Sequence, residues 1–218
     1  MRPLAAVAVV AFVGSSDGCG GTTPGIAEPP NADDLGIYSE TAPHLKLDQD
    51  VTLGTFSGLG GGVDDLREDQ AFKSEGTGSE RVTLRAQGDG FAGVFFSYGA
   101  RDGNAYGNET VAVDISRFAG GSIRFQLRAG IKVLVGVRST NVEAGTETSS
   151  EVLVPPSTAT DAWRAICVPL ADLTGAAPKA DLTRMKVLFA ISVNAATGGT
   201  NGPATLWFDN VRWNSQPC

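Results

Sequence analysis

The chain has 218 residues and a single histidine, His44, in its N-terminal part. A triad centred on histidine and zinc held by several histidines are both excluded as the chemistry of the main body. Charge is sparse, at 19% of residues, and its balance is negative: 17 Lys+Arg against 24 Asp+Glu, a formal net charge of -7. A protein that grips a phosphate backbone needs a basic surface, so nucleic-acid binding is excluded. The apolar run at the start, Leu4 to Val13, has ten residues, against about 20 for a bilayer-spanning helix. From about residue 36 onward, no stretch repeats apolar residues at helical spacing for three turns. The best helical candidate, Asp64 to Phe72, is good for one or two turns.

Hydrophobic residues make up 42% of the chain, which suffices for a real core. At about 150 residues per domain, the length suits one domain with appendages. Glycine and proline are abundant, at 28 and 11 residues. That load suits many short strands joined by turns. The residue order agrees. Val94, Phe96 and Tyr98 share one phase. Ile123, Phe125 and Leu127 alternate with Arg124, Gln126 and Arg128. Ile131, Val133, Val135 and Val137 alternate with Lys132, Leu134, Gly136 and Arg138. Ile166, Val168 and Leu170 share a phase, as do Val187, Phe189, Ile191 and Val193, and then Leu206 and Phe208. Alternation with β-branched and aromatic residues marks half-buried strands. Turn residues separate them: Asp102-Gly103-Asn104, Gly120-Gly121 and Gly198 to Pro203. The fold class expected is all-β, an antiparallel β-sandwich.

The N-terminus reads as an export signal. Leu4 to Val13 has the length of a signal-peptide apolar region. The Cys19 that follows resembles the lipidated cysteine of a bacterial lipoprotein, although Ser16 and Asp17 stand where that pattern has a Leu-like and a small residue. An ordinary cleaved signal is the alternative. The expected layout is a signal over 1–18, a flexible tether over 19–35 and one sandwich domain over 36–218. The expected location is the cell envelope, held by a lipid anchor as the only membrane contact, or the extracellular space. With Cys19 lipidated, Cys167 and Cys218 remain, and an oxidising compartment suggests one disulfide between them. The alternative is a buried free Cys167 and a frayed Cys218.

Four ordered segments then carry a family resemblance. They are Val113-Asp114-Ile115-Ser116-Arg117-Phe118-Ala119-Gly120-Gly121-Ser122-Ile123-Arg124-Phe125, Trp163 to Leu173, Asp181 to Phe189, and Trp207-Phe208-Asp209-Asn210-Val211. Together they resemble carbohydrate-binding modules of the galactose-binding-like jelly-roll type over about residues 36 to 214. The resemblance implies a jelly-roll sandwich that binds polysaccharide without catalysis. It also implies a structural calcium at Asp209, with Glu40 as the acidic partner and Asp33 and Asp34 as rivals. A hydrogen-bonding role for Asp209 is the alternative.

Sugar recognition needs flat rings to stack on pyranose faces and planar polar groups to pair with hydroxyls. Phe91, Phe95, Tyr98, Tyr106 and Trp163 are the candidate rings. Arg124, Gln126, Arg128, Arg138 and Asn194 are the candidate polar groups. Arg124, Gln126 and Arg138 are expected to share one ligand face on neighbouring strands, with Tyr98 and Tyr106 as the stacking rings. A solvated face is the alternative for the three polar groups, and core packing for Trp163. Two other functions compete: a cell-surface structural or assembly domain, and a jelly-roll glycoside hydrolase or polysaccharide lyase. A hydrolase needs two carboxylates facing each other across a cleft. The strand phases supply no such pair, because Glu143, Glu147 and Glu151 fall in a Gly/Thr/Ser-rich stretch that reads as a loop.

Overall fold

A computed structural model describes residues 26–27, 33–40, 45, 50–99, 112–141, 145–156, 162–176 and 178–218. Thirteen strands form among them. They are β1 (Ile26–Ala27), β2 (Asp34–Tyr38), β3 (Val51–Gly58), β4 (Gly62–Asp69), β5 (Ser79–Arg85), β6 (Phe91–Tyr98), β7 (Ala112–Val113), β8 (Ser122–Ala129), β9 (Val133–Asn141), β10 (Thr146–Val154), β11 (Arg164–Pro169), β12 (Met185–Val193) and β13 (Ala204–Asn214). Two sheets result. The seven-stranded sheet runs β3-β6-β12-β9-β10, with β7 also on β12 and β1 on β7. The six-stranded sheet runs β4-β5-β13-β8-β11, with β2 on β13. Every pairing of these strands is antiparallel except β1 with β7. No described helix is long and apolar enough to cross a membrane.

The core fills the space between the sheets because each strand turns its apolar phase inward. Phe189 from one sheet meets Phe125 at 5.2 Å and Phe208 at 5.8 Å from the other. Trp213 is fully buried, and its indole N–H donates to the Leu188 carbonyl at 2.9 Å. That carbonyl sits where the β12 register shifts between Val187 and Phe189, so the irregularity serves a buried donor that would otherwise be unpaired.

Several expectations change. Asp64 to Phe72 is no helix; residues 62–69 form β4 and pair with β5. The Thr/Ser-rich stretch after Gly145 is no loop; it is the edge strand β10, registered with β9 over nine positions. Part of the expected tether is strand as well, since Leu35 is fully buried and lies opposite Trp213. Cys167 and Cys218 do form a disulfide, with Cα atoms 5.8 Å apart. Cys19, His44 and Tyr106 lie outside the described residues.

Candidate functional site

The outward face of the seven-stranded sheet follows from its registers. One row across it reads Glu151, Gly136, Ala190, Phe95, Gly54, and the next reads Leu153, Leu134, Ser192, Gly93, Phe56. Three phenyl rings occupy this face. Phe56 lies 6.3 Å from Phe91 and 6.2 Å from Phe95, centroid to centroid. Each ring lies across a glycine of the neighbouring strand. A Cβ on Gly54 would strike the Phe95 ring, and one on Gly93 would come within 2.5 Å of the Phe56 ring. Gly58 stands in the same relation to Phe91. The missing side chains let the rings settle on the sheet while staying half-exposed, so the face is an apolar platform whose ring planes incline to one another by 34° and 41°.

Polar groups border it. Small residues, Gly136 and Ala190, separate Phe95 from Glu151, whose side chain folds across Gly136. Beyond it, Arg138 Nη1 and Lys186 Nζ both donate to the Glu147 carboxylate at 2.9 Å. Burial works to raise the Glu147 pKa, yet those two cations hold it below the ordinary value. The Glu151 carboxyl is raised, by burial first and against the pull of Arg138. Arg138 Nε also donates to Ser149 Oγ at 3.0 Å. An apolar floor with hydroxyl-pairing groups along one side suits an elongated sugar chain.

The six-stranded sheet holds Arg124 and Gln126, on β8. The expected single face of Arg124, Gln126 and Arg138 is therefore wrong. Consecutive strands β8 and β9 belong to opposite sheets, which the alternation alone does not reveal. Tyr98 is corrected too: it shares the inward phase of Val94 and Phe96 and packs against the core. Asn194 caps a short 3-10 turn, its side chain accepting from Ala196 N at 2.8 Å. The Arg128 guanidinium lies 4.2 Å from the Phe72 centroid and 4.6 Å from that of Trp207. Trp163 precedes β11 at the edge of the six-stranded sheet, away from the platform. Phe56 was missed among the rings, because Val51–Gly58 carries a weak alternation of small residues.

Asp209 is buried. Its Oδ2 accepts from Ser74 N at 2.8 Å, Ser74 Oγ at 2.8 Å and Glu75 N at 3.1 Å, and its Oδ1 from Asn210 N at 2.7 Å. Glu40 accepts from Thr77 N at 2.9 Å and Thr77 Oγ1 at 2.6 Å. Both carboxylates therefore hold one loop, 74–77. Two acids on one loop fit part of a calcium set, but calcium takes oxygen ligands and the loop offers them N–H and O–H donors. In this conformation hydrogen bonds from loop 74–77 occupy Oδ2 of Asp209 and the Glu40 carboxylate at this corner. No cluster of three or more His, Cys, Asp or Glu side chains suited to a metal occurs among the described residues.

Comparison with known proteins bears on this geometry. The family model described as Carbohydrate binding domain 30 matches residues 39–215. No curated protein matches the chain. Among solved structures, a family 30 carbohydrate binding module is 18% identical, with a TM-score of 0.61 over 85% of this chain and 89% of that one. The family 30 module of a cellulosomal cellulase of Clostridium thermocellum is also 18% identical, with a TM-score of 0.58 over 82% and 95%. A family 11 module from Clostridium thermocellum, in complex with a β-1,3-1,4-mixed-linked tetrasaccharide, is 14% identical, with a TM-score of 0.58 over 84% and 96%. These likenesses establish the jelly-roll sandwich.

Proposed function

The chain belongs to the carbohydrate binding domain 30 family, and from that membership we propose that its polysaccharide lies along the phenylalanine platform of the seven-stranded sheet. Polysaccharide binding without catalysis is the function that the family carries. The placement is ours. The observation that supports it is the set of three half-exposed rings, Phe56, Phe91 and Phe95, laid over glycines on one open face. Phenyl faces stack on the C–H faces of pyranose rings. Glu151 and the Arg138–Glu147–Lys186 group stand ready for the hydroxyls along the chain's edge. An open face suits the middle of a chain better than a single sugar. The ligand class we propose is a neutral β-glucan, in keeping with the tetrasaccharide bound by the similar family 11 module.

Affinity electrophoresis in gels containing mixed-linkage β-glucan tests the placement. Wild type is expected to be retarded. Phe56→Ala and Phe95→Ala are expected to migrate freely while retaining a cooperative melt. Unchanged retardation of both variants would move the glucan site elsewhere.

Two further expectations stand as proposals. Lipidation of Cys19, and with it anchoring in the cell envelope, is supported by the apolar run before it. Mass spectrometry of the mature N-terminus tests it, and an unmodified Cys19 removes it. Calcium at Asp209 and Glu40 is supported by two carboxylates meeting one loop, but needs that loop to turn carbonyls toward them. An ion at about 100 times its Kd would add roughly 2.7 kcal/mol. EDTA would then lower the melting temperature by several degrees, and an unchanged melt leaves the corner to hydrogen bonds alone.

A further inference from the structure

On the six-stranded sheet, facing away from the platform, Arg124 of β8 and Arg212 of β13 stand directly opposite each other in the ladder. Facing residues of an antiparallel pair lie about 4.5–5.5 Å apart at Cβ, and like charges so placed destabilise the sheet. Among the described residues one long ion pair, Arg212 with Asp34, offsets their charge in part. Arg124 donates only to neutral oxygens, Ser122 Oγ at 3.1 Å and the Pro217 carbonyl at 2.8 Å. The nearest carboxylate to Arg212 is Asp34, with Nη1 and Oδ2 4.0 Å apart, and Arg212 Nε is buried without a hydrogen-bond partner. A buried guanidinium N–H without a partner costs free energy.

The two arginines border a shallow depression of about 300 Å³. Gln126 and Asn210 add planar amides to its lining, and the Cys167–Cys218 disulfide closes one side. Asn210 is held there by its own backbone, at φ +50° in the irregular turn of β13, while its Oδ1 accepts from Ser39 Oγ at 3.0 Å. The space is at the lower end of ligand-site volumes, which is enough for one sugar unit.

We propose that this depression is a second, anionic subsite, which takes the carboxylate of a uronic-acid unit in an acidic polysaccharide. A carboxylate between Arg124 and Arg212 relieves their repulsion and accepts from both forks in the planar geometry that guanidinium groups favour. Gln126 and Asn210 then meet the hydroxyls beside it. The subsite lies on the sheet opposite the platform, so it is independent of the neutral-glucan site and shares with it only the class of ligand, a polysaccharide. The chain as a whole is acidic, with a net charge of -7. Its overall field repels a polyanion, so retention of one requires a local cationic site.

Affinity electrophoresis at low ionic strength decides the matter, with polygalacturonate, its methyl ester and dextran sulfate in separate gels. Wild type is expected to be retarded by polygalacturonate and not by the uncharged ester. Arg212→Gln should weaken that retardation about tenfold, the size of one charge-assisted hydrogen bond. Its melting temperature should not fall, since the substitution relieves the repulsion between the facing arginines, and its retardation by mixed-linkage β-glucan should not change. Phe56→Ala should show the reverse pattern, which separates a failure here from a failure of the platform. Arg124→Gln should act like Arg212→Gln, but it also frees the Pro217 carbonyl, so the Arg212 variant carries the decision. No retardation of wild type by polygalacturonate, equal retardation of Arg212→Gln, or dextran sulfate retarding wild type as strongly would each overturn the uronate assignment.

Discussion

Glu80 should make this fold less stable as pH rises, and Glu80→Gln should remove that dependence. The side chain sits on the inward phase of β5, opposite Phe208 on one side and Glu68 on the other. It is 5% exposed, and its Oε2 has no hydrogen-bond partner. Burial first, and then the Glu68 charge, push its pKa from 4.5 to about 7. The Tyr38 hydroxyl is raised as well, by burial first and then by Glu80. Because the folded pKa lies above the unfolded one, the folded state holds the proton longer. The contribution is fully present below about pH 4.5 and is lost as pH rises through about 7. A rise of about 2.5 units at 1.36 kcal/mol each is worth roughly 3 kcal/mol. In a domain of this size, that is roughly 6–12 °C in melting temperature. The amide introduced by Glu80→Gln has no proton to lose and occupies nearly the same volume. Melts of both proteins from pH 4 to 8 give a difference curve in which other titrating groups cancel. The expected curve lies near zero at pH 4 and rises in favour of Glu80→Gln until about pH 7. A flat difference curve would refute the reasoning and mean that the carboxyl finds a partner when ionised.

The glycines under the rings separate binding from stability. Gly54→Ala should weaken β-glucan retardation while shifting stability by about 1 kcal/mol or less, because the new methyl meets only the movable tip of Phe95. Gly93→Ala should instead cost about 1–3 kcal/mol in chemical denaturation, since its methyl also meets the Ile191 carbonyl oxygen at 2.7 Å. A larger loss of stability for Gly54→Ala than for Gly93→Ala would contradict both. The Cys167–Cys218 disulfide closes a sequence separation of 51, for which the chain-entropy account gives about 4 kcal/mol. Cys218→Ser should therefore lower the urea midpoint, and a reductant should do the same to wild type but not to the variant.

Alternation in the chain was enough to call for strands and a two-layer sandwich, because a period of two has few other ways to bury one face. It also put Val94, Phe96 and Tyr98 on one phase, which already contained the answer that Tyr98 faces the core. The Trp207 to Val211 segment and its partners pointed to a carbohydrate-binding module for the same local reason: turn, core strand and closing strand each leave a legible pattern. Cys167 and Cys218 were legible as a pair by their even number once Cys19 was set aside and an oxidising compartment was expected. What stayed out of reach depends on which strand lies beside which. β8 and β9 are consecutive yet lie in opposite sheets, so Arg124 and Arg138, neighbours by pattern, face away from each other. Arg212 and Arg124 are 88 positions apart and stand side by side. Phe56, Phe91 and Phe95 form one surface only because β3 pairs with β6 in a register that sets a glycine under each ring. Residue order along one strand decides which way a side chain points. Only the pairing of distant strands decides what it points beside, and both the platform and the arginine depression are properties of that pairing.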